Sequence, residues 1–148
     1  MDIKTYMEKK TELEAFVEKN GKNILSSFFS EFFADNPDIH AVKWRQYTPY
    51  FMDGDACVFS VNDPCFLSRP LTDLNKDLWS WDENPEDENG VEVDHGWNEE
   101  GSDPQRKFAD ELSGLEDLCL NVFGDHAEIF ATRSEASVNF EVTDCEHD

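Results

Sequence analysis

The stretch AVKWRQYTPYFMDGDACVFSVN, residues 41–62, decides the fold. Aromatic and β-branched residues flank Asp53-Gly54, a dipeptide suited to tight hairpin turns because it tolerates positive φ. The reading is a hairpin with one strand on each side of that turn. Pro49 has no N–H to give to a ladder, which predicts an edge strand or a bulge there. A second hairpin is predicted over 127–143, AEIFATRSEASVNFEVT, where Val138, Phe140 and Val142 alternate with Asn139 and Glu141.

Helical patterns lie outside these hairpins. In residues 2–34, Leu13, Phe16, Val17, Ile24, Leu25, Phe28, Phe32 and Phe33 fall on one face at a 3.6-residue period, with Lys and Glu on the other. Asn20-Gly21 predicts a break into two helices, and Pro37 closes the run. Residues 63–81 read as irregular, with room for a short helix over 71–79. Residues 104–123 read as one helix, with Asp103 as N-cap and Pro104 at its first position. Its buried stripe is Phe108, Leu112, Leu115, Cys119 and Val122, and Gly124 stops it. The expectation is one α+β domain over 1–148: a helical part over 1–38, a hairpin, an acidic loop over 82–103, a helix and a hairpin. The helices pack on one face of an antiparallel sheet of about four strands.

Charge is the strongest compositional signal. The 148 residues carry a formal charge of -22, yet 39% are hydrophobic and twelve are Phe, so the chain has the means to fold. Residues 1–50 hold 7 basic and 8 acidic side chains; residues 51–148 hold 5 and 26. Such a surface argues against direct binding to nucleic acid or to an anionic membrane, since both need Lys and Arg to neutralise phosphates. No apolar run approaches a signal or membrane-spanning segment, so the expected location is the cytoplasm. Cys57, Cys65, Cys119 and Cys145 lack metal-ligand spacing and read as free thiols, and the histidines are dispersed.

The acidic loop with its flanks, WSWDENPEDENGVEVDHGWNEEGSDP over 79–104, has ten carboxylates and no Lys or Arg. A turn is expected at Asn89-Gly90 and a brief strand at 90–93. An EF-hand registered on Gly90 would put Pro85 at the first ligand position and Gly96 at the twelfth, so that site fails. No phosphate-binding glycine loop and no nucleophile elbow occurs. Thirty-four carboxylates make acid–base pairs too common to identify an enzyme by counting. No cofactor is expected.

Residues Trp44 to Phe59 follow the pattern W-x-Q-Y-T-P-Y-F-x-D-G-D-x-C-x-F, with Arg45, Met52, Ala56 and Val58 among the variable places. This resembles a stretch in small, often phage-encoded acidic proteins. The resemblance implies a phage context, and hence a host cytoplasm, more than an activity. In charge and size alone the chain is similar to DNA-mimic inhibitors made against host defence and DNA- or RNA-processing enzymes. The function expected is a non-enzymatic decoy for a basic, nucleic-acid-binding protein. Its contact residues would be Asp82, Glu83, Glu86, Asp87, Glu88, Glu92, Asp94, Glu99, Glu100, Asp103, Asp110 and Asp117, with Trp79, Trp81 and Trp97 as apolar anchors. Such mimicry requires the tract to fold back and join Asp110, Asp117 and the last hairpin. The alternatives are an adaptor docking through the aromatic hairpin 44–59 and a carboxylate-based metal-dependent enzyme. The near-neutral N-terminal helix is scaffold, or a homodimer surface if its phenylalanines exceed what one core can bury.

Overall fold

A computed structural model describes residues 2–49, 57–98, 102–134 and 137–144. The elements in chain order are α1 (Ile3–Asp35), β1 (Ala41–Tyr47), β2 (Ser60–Val61), β3 (Cys65–Leu67), α2 (Asp73–Lys76), β4 (Trp97–Asn98), α3 (Asp103–Ser113), α4 (Glu116–Phe123), β5 (Ala127–Arg133) and β6 (Val138–Asp144). The α+β class stands. The sheet has six strands rather than four, all antiparallel, in the order β4-β3-β1-β5-β6 with β2 also paired to β1. The unforeseen strands, β3 and β4, have three and two residues. Segments so short cannot display a period of two, so nothing local announces them.

The hairpin reading of 41–62 holds in its pairing. Gln46 faces Val61 and Tyr47 faces Ser60, a register symmetric about Asp53-Gly54. The turn itself lies outside the described residues. Nearer the start of β1 the register slips by one, with Lys43 opposite Cys65 and Val42 opposite Phe66. The extra residue falls between Val61 and Cys65, where Pro64 has no N–H to pair, so the bulge sits here and not at Pro49. Nor is β1 an edge strand: it has β5 on one side and β2 and β3 on the other.

Alternation along β1 divides the molecule into layers. Val42 and Trp44 join Leu25, Phe29, Phe32 and Phe33 of α1, with Phe108 and Leu112 of α3 and Cys119 of α4. Phe29 stacks on the Trp44 indole at 5.4 Å and 11°. Each fully buried side chain of this kind stabilises by about 1.5–3 kcal/mol. Ala41 faces the other way, with Cys65, Leu67, Trp79, Trp97 and Phe130.

The helices depart from expectation in three places. First, α1 does not break at Asn20-Gly21. A Cβ on Gly21 would stand 2.8 Å from Val122 Cγ2 and 3.2 Å from Leu118 Cδ1, so the glycine serves close packing on α4 instead of a turn. Second, burial of α1 begins only at Gly21, and the expected core residues Leu13, Phe16 and Ile24 are exposed. Third, 104–123 is two helices, separated at Gly114 and Leu115. The N-cap is Ser102, not Asp103: Ser102 and Gln105 exchange side-chain-to-backbone hydrogen bonds, satisfying two end N–H groups that Asp103 at this register would not. Gly124 ends α4 at φ 88, as read from the sequence.

Part of the W-x-Q-Y-T-P pattern acts as a clasp. Trp44 Nε1 donates to Gln46 Oε1 at 3.0 Å, and Gln46 Nε2 donates to the carbonyls of Cys119 and Gly124 at 3.0 and 2.7 Å. Thr48 donates through N and Oγ1 to the Asp125 carboxylate. These bonds tie β1 to the end of α4 and satisfy every polar atom of a buried amide. Arg133 does the same for the end of α1, donating to the carbonyls of Phe33, Asn36 and Ile39.

Candidate acidic interface

The sheet face opposite α1, α3 and α4 is covered by a loop layer, residues 69–98, which carries nine carboxylates against two basic side chains. Such a loop stays on a sheet only if something beneath it outweighs its self-repulsion. Trp79 and Trp97 supply the apolar part, buried to 5% and 3% exposure against Ala41, Leu67 and Phe130. Trp97 Nε1 donates to the Asn75 carbonyl, and β4 adds Trp97–Asn98 to the sheet beside β3.

Lys43 supplies the polar part. It rises from β1, is 2% exposed, and donates through Nζ to the carbonyls of Lys76 and Leu78 at 2.9 and 3.2 Å. Its ammonium lies 4.6 Å from the Trp79 ring, 5.4 Å from Trp97 and 5.7 Å from Phe130, with Glu128 at 3.9 Å. Burial pushes the Lys43 pKa below its ordinary value, against the pull of Glu128, Asp77 and Asp82. Arg45 extends the stack from the same face of β1, its guanidinium 4.7 Å from Trp79 and 5.4 Å from Trp81. The two indoles stack at 4.7 Å and 18°. Trp81 forms the outer end of the stack and is 56% exposed.

The tract turns back on itself. Asp87 N donates to the Val91 carbonyl and Val93 N to that of Pro85, leaving Glu86 opposite Glu92 across an isolated bridge. Asn89-Gly90 is a turn, with Gly90 at φ 75, as expected; the strand predicted over 90–93 reduces to that one bridge. Two glutamates directly opposite each other destabilise a ladder. The carboxylates divide into two groups. Asp82 accepts from Trp79 N, Asp87 from the N–H groups of Asn89 and Val91, and Glu92 from Asn84 Nδ2. Asp94 accepts from Gly96 N and pairs with Arg69 at 2.5 Å. The Gly96 N–H, ahead of Arg69, holds the Asp94 carboxyl below its ordinary pKa. Glu83, Glu86 and Glu88 are exposed and make no hydrogen bond or ion pair with the described residues.

Of the sequence-predicted contacts, the structure brings Asp82, Glu83, Glu86, Asp87, Glu88, Glu92, Asp94 and Trp81 together on the loop layer. Trp79 and Trp97 are under it, holding it to the sheet. Asp103, Asp110 and Asp117 are exposed on α3 and α4, across the sheet from the tract. Glu99 and Glu100 lie outside the described residues. Sequence reasoning missed Lys43, Arg45 and Glu128. The signal available was a lysine inside an apolar run, AVKW, a position that demands partners when buried.

Among the described residues, no group of three or more His, Cys, Asp or Glu is placed to hold a metal ion. No helix among them is long and apolar enough to cross a membrane. The arrangement defines an α+β protein whose open antiparallel sheet carries a helical layer on one face and an acidic, tryptophan-pinned loop layer on the other. No protein-family model, curated protein or solved structure matches the chain.

Proposed function

We propose that the chain is a non-enzymatic acidic decoy that occupies the basic, nucleic-acid-binding surface of another protein through its loop layer. The observation that carries this reading is a tract folded back over the sheet, with Glu83, Glu86 and Glu88 unpaired among the described residues and an exposed indole, Trp81, in the same layer. An extended tract would space its carboxylates too widely to resemble duplex DNA, which bears a charge about every 1.7 Å of axis. Folding back raises the density, and the like-charged Glu86–Glu92 pair is a cost that stability alone would remove. The acids of α3 and α4 lie across the sheet, so the expected union of the tract with Asp110 and Asp117 does not occur, and the proposed decoy surface is reduced to the loop layer alone, without Asp103, Asp110 and Asp117. Arg45 and the Trp79 indole behind it orient Trp81 as an apolar anchor within that surface. A phage-encoded inhibitor of host DNA-processing or defence enzymes fits this description. The adaptor reading is weaker, because Trp44, the first aromatic of its hairpin, is wholly buried.

The test uses immobilised protein and bacterial lysate. Retained proteins should be nucleic-acid-binding, should elute as salt rises, and should be displaced by added duplex DNA. The E83Q/E86Q/E88Q variant removes only carboxylates that are unpaired among the described residues, and its association should slow by about tenfold at low salt. Retention indifferent to duplex DNA and to this variant refutes the decoy.

A further inference from the structure

The first half of α1 is not buried by any of the described residues. From Asp2 to Asn20 no residue is buried, and the body of the protein begins at Gly21. At 1.5 Å per residue, residues 3–20 project by about 27 Å. The projecting arm is amphipathic. Ile3, Tyr6, Leu13, Val17 and Ile24 recur at alternating spacings of three, four and seven, the a and d positions of a heptad, with Lys10 and Asn20 completing the series. Met7 and Phe16 flank this stripe. Leu13 is 63% exposed and Phe16 54%, and Ile3, Tyr6 and Met7 are also exposed. A lone helix of this length is marginal in water without a partner for its apolar face.

We infer that the arm pairs, antiparallel, with the same arm of a second copy. Three observations select that occupant. The charges are self-complementary in this direction alone: residues 3–10 net +2 (Lys4, Lys9 and Lys10 against Glu8), and residues 11–20 net -2 (Glu12, Glu14 and Glu18 against Lys19). Antiparallel overlap sets each basic half against the partner's acidic half, whereas parallel overlap sets like against like. The area suffices. Exposed apolar side chain on one arm amounts to roughly 500 Å², given the size of aromatic residues, so two arms cover about 1,000 Å², the threshold for a specific interface. The bodies also stay apart. Residues 51–148 carry a net -21, and antiparallel arms place these polyanions at opposite ends instead of side by side. The pairing is independent of the decoy reading.

Light scattering and small-angle scattering on the full chain test this directly. The expected particle is a dimer of twice 17.1 kDa, with a maximum dimension of about 100 Å from two bodies and one arm length. A parallel dimer would measure about 65 Å and would overturn the proposed orientation. The L13E/F16E variant should be monomeric with unchanged far-ultraviolet dichroism beyond loss in the arm. If that variant is insoluble, K4E/K9E/K10E, which puts acid against acid, should weaken the dimer at least tenfold at low salt. Wild-type protein that remains monomeric at high micromolar concentration overturns the inference. So does either variant that dimerises as tightly as wild type.

Discussion

Replacing Lys43 by Met tests the pin beneath the acidic layer. The methionine keeps the aliphatic bulk against Trp79, Trp97 and Phe130 and removes the ammonium. Lost are two charged hydrogen bonds, to the Lys76 and Leu78 carbonyls, which contribute about 1.5–3 kcal/mol each, and a cation–π contact of about 1–2 kcal/mol. Also removed is the cost of keeping a charge out of water, several kcal/mol for one ion, which offsets most of that loss. What remains is a pair of carbonyls facing a thioether, at about 1–3 kcal/mol each, reduced where water reaches them. The net expectation is a destabilisation of about 2 kcal/mol in urea unfolding at pH 7, read by tryptophan emission. The pH dependence adds a sign. Burial lowers the folded pKa of Lys43, so between that value and the unfolded 10.5 the unfolded chain binds more protons. Stability from this group therefore rises with pH across that window, and the gap between wild type and variant should widen as pH climbs toward 10. A variant as stable as wild type, or a gap that narrows with rising pH, would refute the assignment of Lys43 as the pin.

The other expectations rest on separate contacts. Gly21→Val should cost about 2 kcal/mol in thermal unfolding, because its Cβ meets Val122 and Leu118 of α4; a neutral result would show that α1 and α4 can move apart. Gln46→Leu leaves the Cys119 and Gly124 carbonyls without their donor and should destabilise by about 2–4 kcal/mol. In thiol labelling of the native protein, Cys57 should react quickly, while Cys119, buried and with its pKa pushed up to about 12, should react only on unfolding. The lowered Asp94 pKa supplies stability that is present above the unfolded value of 3.8 and lost as pH falls through the folded one. Exchange of the Gly96 amide should therefore accelerate, relative to Asp94→Asn, as acid is added below pH 4.

The elements legible along the chain are those whose cause is local. Alternation over residues 138–142 reveals β6, a sustained 3.6 period reveals α1 and α3, and Asp53-Gly54 marks the centre of the β1–β2 register. Turn chemistry likewise foretells Gly90 and Gly124, because a positive φ is a property of one residue and its neighbours. The net charge and its bias toward residues 51–148 need no structure at all. Contacts between distant residues settled the rest. Asn20-Gly21 reads as a turn until α4, about a hundred residues away, takes up the space a side chain would need. Trp79 and Trp97 look like surface anchors until β3 and β4 pair and Lys43 rises beneath them. The side of the sheet on which each acid sits is equally invisible in one dimension. Asp110 lies few positions beyond the tract, yet a six-stranded sheet separates them. Periodicity assigns a residue to a face of its own element, and tertiary packing alone decides what that face meets.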